Sequence, residues 1–332
     1  MKLITYRIGA GPVLTGVVID EDANGEAGIE LKARVLNISS WIASLPISLE
    51  AQQHNTATGV DAPEGGIMRW LQSGNEKLPA LAAHVNAAMA KPGTLFDLLP
   101  DVHLYAPVPR PGKIIGVGRN YADHAAETGV APFETPRLLF KVPGCVTAPG
   151  AAIPRPSSVT KMDFEVELAV VMGGYGKDVP ASQALALVAG YTVLNDISAR
   201  EFQFDIVPAQ TSFAKSMDGF APMGPWLVTR DEIADPQTLE VFCWLNGTQM
   251  QHGRTADMLF PVATLIAYVS RFMTLEPGDI ITTGTPAGIG AFRKPPVYLQ
   301  PGDRLRFEVS RIGGMEHLIS QNTSAPSALL TD

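Results

Sequence analysis

Residues Met162 to Val170 read MDFEVELAV, in which Asp163, Glu165 and Glu167 alternate with Phe164, Val166 and Leu168. Period-2 alternation predicts a β-strand with its acids on one face and its apolar residues on the other. Neighbouring side chains on one face of a strand stand roughly 6.6–7 Å apart. At an effective dielectric of about 20, two carboxylates at that spacing repel by roughly 2–2.5 kcal/mol. Three acids relieve this by facing water, by holding extra protons or by sharing a cation.

The surrounding segments set the fold class. From Lys113 onward the chain reads as short strands punctuated by Gly and Pro: KIIGVG, RLLFKV, FEVELAVVM, YTVLNDIS, PWLVT, LEVFCWLNG, DIITTG and RLRFEV. Asn246-Gly247 is a hairpin signal. Helical patterns are few, around Ala181–Ala189 and Phe260–Phe272. Strands so closely spaced predict an α+β, β-rich, mostly antiparallel architecture with peripheral helices, not a regular βαβ wind. Residues 1–105 form a small N-terminal α/β domain in this reading, with strands at Leu14–Ile19 and Ile29–Val35 and a helix over Leu78–Ala90 that stops at Lys91-Pro92-Gly93. APVPRPGK, Ala106 to Lys113, is an extended connector. Residues 106–332 make the second, catalytic domain.

Composition narrows the class. The 332 residues carry a net charge of −8 without a Lys/Arg run, which argues against nucleic acid and anionic membrane surfaces. No segment reaches the roughly 18 uninterrupted apolar residues of a membrane span. The N-terminal stretch lacks the continuous apolar core of a secretory signal. Cys145 and Cys243 read as buried, reduced thiols, and the expected setting is cytoplasmic.

A second acid bears on the acidic strand. Asp196 ends the apolar run of YTVLNDISAR, where a strand end presents a carboxylate to a cleft. Glu165, Glu167 and Asp196 then form an all-oxygen set suited to Mg²⁺, Mn²⁺ or Ca²⁺, with Asp163 beside it. In GRNYADHAAETG, Gly118 to Gly129, Asn120 is placed to cap a short helix and Gly129 to end it. His124 and Glu127 lie three apart on one face, so the carboxylate can fix the imidazole tautomer and the pair can deprotonate a water. Arg119 and Tyr121 in the same segment suit an anionic substrate. Lys215, in FAKSMDGFAPMGPW, suits a carboxylate or enolate. TTGTPAGIG, Thr282 to Gly290, is a Gly-rich loop after a strand that can offer N–H groups to an oxyanion.

In this order, GRNYADHAAE, DFEVELAVVMG, NDISAR, AKSMDGFAPMGPW, LNGTQMQ and LEPGDIITTGTPAGIG resemble the fumarylacetoacetate hydrolase family, from about Lys113 to Val309. The first hundred residues resemble the variable leading domain of the longer bacterial members. The resemblance implies a mixed β-roll, a homodimer and a divalent cation, usually Mg²⁺ with Mn²⁺ or Ca²⁺ tolerated. It implies Glu165, Glu167 and Asp196 as metal ligands, and His124 with Glu127 as a water-activating dyad on a lid helix. It also implies Lys215, Arg119, Gln203 and Thr285 as contacts to substrate oxygens. Val117 stands where the eukaryotic members carry a fourth ligand Asp, which implies the three-carboxylate branch. Glu201 and Gly219 replace a common Asp and Thr, so contacts near Lys215 differ.

The function expected is hydrolysis of a C–C bond in a small 2,4-diketo acid of the acylpyruvate or fumarylpyruvate type, from aromatic or sugar-acid catabolism. Decarboxylation, 2-hydroxymuconate-type isomerisation and 2-oxopentenoate hydration would use the same metal site. A metal-binding structural protein without catalysis is the alternative of another class. Residues between Thr128 and Pro136, including Phe133, and the N-terminal domain would shape the acyl pocket.

Overall fold

A computed structural model of the chain describes residues 1–19, 33–58, 66–129 and 131–321. The fold is β-rich α+β, as the strand spacing predicts. A twelve-stranded sheet runs, in spatial order, through Asp97–Leu98, Arg34–Asn37, Leu14–Ile19, Lys2–Arg7, Ala221–Thr229, Val188–Asn195, Val166–Met172, Ile280–Thr282, Ile114–Gly118 and Arg137–Lys141, with two short strands beside that path. Neighbours along the path are antiparallel except Ile280–Thr282 against Ile114–Gly118.

A second sheet of five strands, Thr248–Arg254, Glu240–Leu245, Arg304–Val309, Gly313–Gln321 and Ile153–Arg155, packs over the middle of the first. Leu168, Val193, Met223, Cys243, Phe307 and Met315 belong to the core these sheets share with the rest of the chain. Each large apolar side chain so buried contributes roughly 1.5–3 kcal/mol. Asn246 and Gly247 take φ of 51° and 80°, the left-handed pair a two-residue hairpin between Leu245 and Thr248 requires.

Helix Val262–Phe272 buries Val262, Leu265, Ile266 and Val269, the i, i+3, i+4, i+7 stripe of an amphipathic helix. Helix Leu78–Ala90 forms over the span its Ala-rich pattern predicts. The pattern around Ala181–Ala189 gives only Ala181–Ala184 and a 3₁₀ turn, because Val188 already enters the sheet against Met172. Of the strand expected over Ile29–Val35, the part up to Lys32 lies outside the described residues, and Arg34–Asn37 is a strand.

The sheet is continuous across residue 105. Lys2 and Leu3 pair with Val228 and Leu227, and Thr5 donates its hydroxyl to Pro107 O at 3.1 Å. Cys145 and Cys243 are free and buried. Among the described residues, no helix is long and apolar enough to cross a membrane.

The acidic strand departs from simple alternation. Met162–Asp163 pairs with Ser198–Ala199 as a separate two-stranded piece, and Val166–Met172 starts the long strand. Between them the ladder is replaced by side chains: Glu165 N–H donates to Asn195 Oδ1 at 2.8 Å and Val166 N–H to Gln251 Oε1 at 3.1 Å. Every residue from Met162 to Met172 is buried, so this strand has no solvated acidic face.

Candidate active site

A cavity of about 200 Å³ opens beside the break in that strand, walled by Arg119, His124, Glu165, Glu167, Asp196, Arg200, Gln203, Lys215 and Thr285 among others. Glu165, Glu167 and Asp196 come together: one oxygen of each lies within 4.8 Å of the others, and all three are buried. Main-chain pairing fixes this, since Asp196 N–H donates to Glu165 O at 2.7 Å and Val166 pairs with Asn195.

Three buried cations are woven through the carboxylates. Lys215 Nζ lies 2.7 Å from both Glu165 Oε2 and Asp196 Oδ2 and 2.8 Å from Ser198 Oγ. An ammonium has three hydrogens, so all are committed here. Lys141 Nζ lies 2.6 Å from Asp196 Oδ1 and also donates to Lys215 O. Arg200 bridges Asp163 through Nε at 2.8 Å and Glu165 through Nη2 at 2.6 Å.

Burial works against ionisation of Glu165, but Lys215 and then Arg200 outweigh it and hold its carboxyl well below the usual range. Burial likewise opposes the charge on Lys215, yet Asp196 and Glu165 raise its pKa. Glu167 differs. Among the described residues its carboxylate accepts one hydrogen bond, from Gly284 N–H at 2.7 Å, and no ammonium or guanidinium pairs with it. Burial, then Asp196 and Glu165, push its carboxyl well above the usual range. Three converging carboxylate oxygens, one carboxylate without a paired cation, fit a hard divalent ion.

His124 Nδ1 lies 2.6 Å from Glu127 Oε1, and Glu127 Oε2 accepts Gly288 N–H at 3.0 Å. With Nδ1 as donor, Nε2 is left as the base. The helix carrying the pair, Ala122–Glu127, is not capped by the Asn120 side chain. Asn120 instead fastens its start to neighbouring loops, donating to Phe260 O and Thr283 O and accepting Phe260 N–H. Gly129, at φ 68°, ends the helix as its sequence predicts.

The Gly-rich loop also serves the protein's own acids. Gly284, Gly288, Gly290 and Ala291 donate N–H groups to Glu167, Glu127 and Asp163, so these are not open to an oxyanion. Gly284 needs to be glycine: at φ 92°, an added Cβ would meet Asn120 Cβ at 2.8 Å and Val117 O at 2.9 Å.

Most of the residues read from sequence meet in the cavity; Tyr121 and Asp163 do not, and Glu127 stands behind His124, outside the wall. Tyr121 is wholly buried, forms a main-chain bridge with Met258, and its hydroxyl has no partner among the described residues, away from the cavity wall. Asp163 turns under the Gly-rich loop. Gln203 reaches the wall with its Oε1 taking Arg200 Nη1–H at 2.8 Å, and Thr285 donates its hydroxyl to Val166 O.

A family model described as fumarylacetoacetate (FAA) hydrolase C-terminal matches residues 113–320. The chain belongs to the fumarylacetoacetate hydrolase family. It is 40% identical over 308 residues, 87% of this chain and 97% of the relative, to oxaloacetate tautomerase FAHD2A, mitochondrial, of Bos taurus. Maleylpyruvate hydrolase from Sphingobium sp. SYK-6, solved with manganese(II) and pyruvate, superposes with a TM-score of 0.72 at 27% identity, covering 97% of this chain and 99% of that one. The 5-carboxymethyl-2-hydroxymuconate delta-isomerase of Mycobacterium smegmatis superposes at 0.69 and 28% identity, over 98% and 100% of the chains. Hydrolase, isomerase and tautomerase activities thus occur in one fumarylacetoacetate hydrolase fold.

Lys141, Ser198, Asn195, Gln251 and Arg200 were not assigned from sequence. Asn195, Ser198 and Arg200 lie in NDISAR and Gln251 in LNGTQMQ, whereas for Lys141 the one signal is a lysine inside the apolar strand RLLFKV.

Proposed function

We propose that the chain hydrolyses a C–C bond in a small 2,4-diketo acid of the acylpyruvate type, with Mg²⁺, or Mn²⁺ or Ca²⁺ in its place, held by Glu165, Glu167 and Asp196. The observation that carries this reading is His124, backed by Glu127 through Nδ1, on the wall of the cavity that the three carboxylates also line. A divalent cation bound there supplies Lewis acidity toward the oxygens of the 2-oxo acid. His124 Nε2 takes a proton from a water while Glu127 holds Nδ1–H, and the water oxygen attacks the carbonyl distal to the pyruvate half. The C3–C4 bond breaks, its electron pair passes to the pyruvate half as an enolate, and a proton at C3 completes pyruvate. Lys215 supplies positive charge to the enolate oxygen by exchanging one of its three present acceptors.

Exposed Phe140, Val142, Phe204, Val207 and Phe213 around the short helices next to the cavity support a homodimer as the working form. The cytoplasm is the setting we propose. Enolate chemistry without an attacking water is the second reading. It is favoured by the relative named oxaloacetate tautomerase and by the carboxylate–lysine cluster that such chemistry would share.

Product analysis in ¹⁸O-labelled water decides between them. Hydrolysis puts one label into the newly formed carboxylate, and His124→Ala lowers the rate by about 10²-fold or more. Unlabelled products, or an undiminished variant, would overturn the hydrolytic reading in favour of the second.

A further inference from the structure

Two arginines share the cavity wall, and among the described residues neither is in an ion pair. Arg119 follows strand Ile114–Gly118, and the antiparallel register sets Arg137 opposite Gly118, so the two long side chains leave neighbouring positions. Both line the cavity. Both rest against one ring: their Cζ atoms lie 5.6 Å and 5.7 Å from the Phe133 centroid. Such contact holds a guanidinium over an aromatic face and leaves its N–H edges for planar anions.

Every other cation on the wall is paired. Lys215 and Arg200 contact Glu165, and Arg200 also contacts Asp163. Among the described residues, no carboxylate pairs with Arg119 or Arg137. Burial and then the charge of Arg137 lower the pKa of Arg119. Two like charges converging on one cavity oppose each other unless an anion lies between them. Arg119 also sits at φ 55°, in the left-handed region, which for a residue with a Cβ costs about 1–2 kcal/mol and is held where the surroundings impose it.

We propose that Arg119 and Arg137 form a clamp for a second carboxylate, so that this enzyme takes dicarboxylic 2-oxo or 2,4-diketo acids in preference to monocarboxylic ones. The clamp rests on the reading of the cavity as a 2-oxo acid site. Arg137 is the specificity-determining member, placed by strand pairing and absent from any motif that carries the catalytic groups. A cavity of about 200 Å³ suits a diacid of a few carbons beyond the 2-oxo acid end.

The test is calorimetric binding of 2-oxoadipate and 2-oxohexanoate, equal in chain length and differing in the terminal carboxylate, to the Mn²⁺-loaded protein. The wild type is expected to bind the diacid about tenfold tighter or more, the range of a charge-assisted contact. Arg137→Met is expected to bring that ratio near one, and Arg137→Glu to invert it. Arg304→Met, on the other sheet, keeps it. Arg137 is exposed, so these substitutions leave the core intact, which circular dichroism checks. A wild type that binds both acids equally, or neither, overturns the clamp, as does an Arg137→Met protein that keeps the ratio. Binding needs no turnover. A lost ratio without diketo acid cleavage therefore sinks only the hydrolytic reading, and cleavage with an unchanged ratio sinks only the clamp.

Discussion

Lys141 Nζ lies 2.6 Å from Asp196 Oδ1, with both side chains buried. Asp196 therefore has one oxygen held by Lys141 and the other turned toward Lys215 and the carboxylate cluster. Outer partners of this kind fix the orientation of a ligand carboxylate, and losing one costs about 10–100-fold in metal affinity. Lys141→Met preserves the stem and removes the charge, and is expected to weaken Mn²⁺ binding by that factor. Titration calorimetry on the purified variant measures it; an unchanged Kd would show that Lys141 serves folding alone.

Asp163 anchors the Gly-rich loop to Arg200. Its oxygens accept N–H groups from Phe164, Gly290 and Ala291 and the Nε–H of Arg200, all within 2.9 Å. Asp163→Ala strands these donors and part of a buried guanidinium, which costs about 3–5 kcal/mol. Urea denaturation is expected to show that loss, while Mn²⁺ affinity falls far less than in Glu165→Ala. A stability change below about 1 kcal/mol, the worth of an ordinary hydrogen bond, would contradict the anchor.

His317 stacks on Phe307 at 5.4 Å and hydrogen-bonds Ala151 O through Nδ1 at 2.8 Å. Burial lowers its pKa to about 4 from 6.5. The folded state thus binds the proton less well than the unfolded chain, so stability present above pH 6.5 is lost as pH falls toward 4. A shift of that size amounts to about 3 kcal/mol between the two limits. His317→Gln removes the titration, and denaturation midpoints at pH 7 and pH 4.5 are expected to differ less in the variant than in the wild type. Equal pH dependence in both proteins would assign acid sensitivity elsewhere.

How much of this could be read in the residues varies with the range of the interaction that decides each feature. Local rules suffice for the Asn246-Gly247 hairpin, for the stripe of helix Val262–Phe272 and for the spacing of His124 and Glu127. Glu165, Glu167 and Asp196 were legible because motifs in sequence order carry them. Tyr121 was misplaced because its motif position says nothing about the Met258 bridge that turns it into the core. Asp163 alternates with Glu165 and Glu167 in sequence, but Asn195 and Gln251 interrupt the ladder between them. A lysine out of place in RLLFKV is visible locally, but the partner of Lys141, Asp196, and the position of Arg137 opposite Gly118 come only from pairing with distant segments.

Glu167 is where the cluster is most out of balance. Its carboxylate is buried beside Asp196 and Glu165 with one N–H for a partner, so its charge is unfavourable in the metal-free protein. Glu167→Gln removes that charge and keeps an oxygen for Gly284 N–H. The metal-free variant is therefore expected to melt above the chelator-treated wild type. The order should reverse with cation: at a free concentration 100 times Kd, Mn²⁺ stabilises the wild type by about 2.7 kcal/mol, and a variant with a ligand lost gains much less. Melting curves with chelator and with Mn²⁺ test both halves. A variant that melts below the wild type in chelator would mean that Lys215, which also lowers the Glu167 pKa, already balances the charge without any pairing contact.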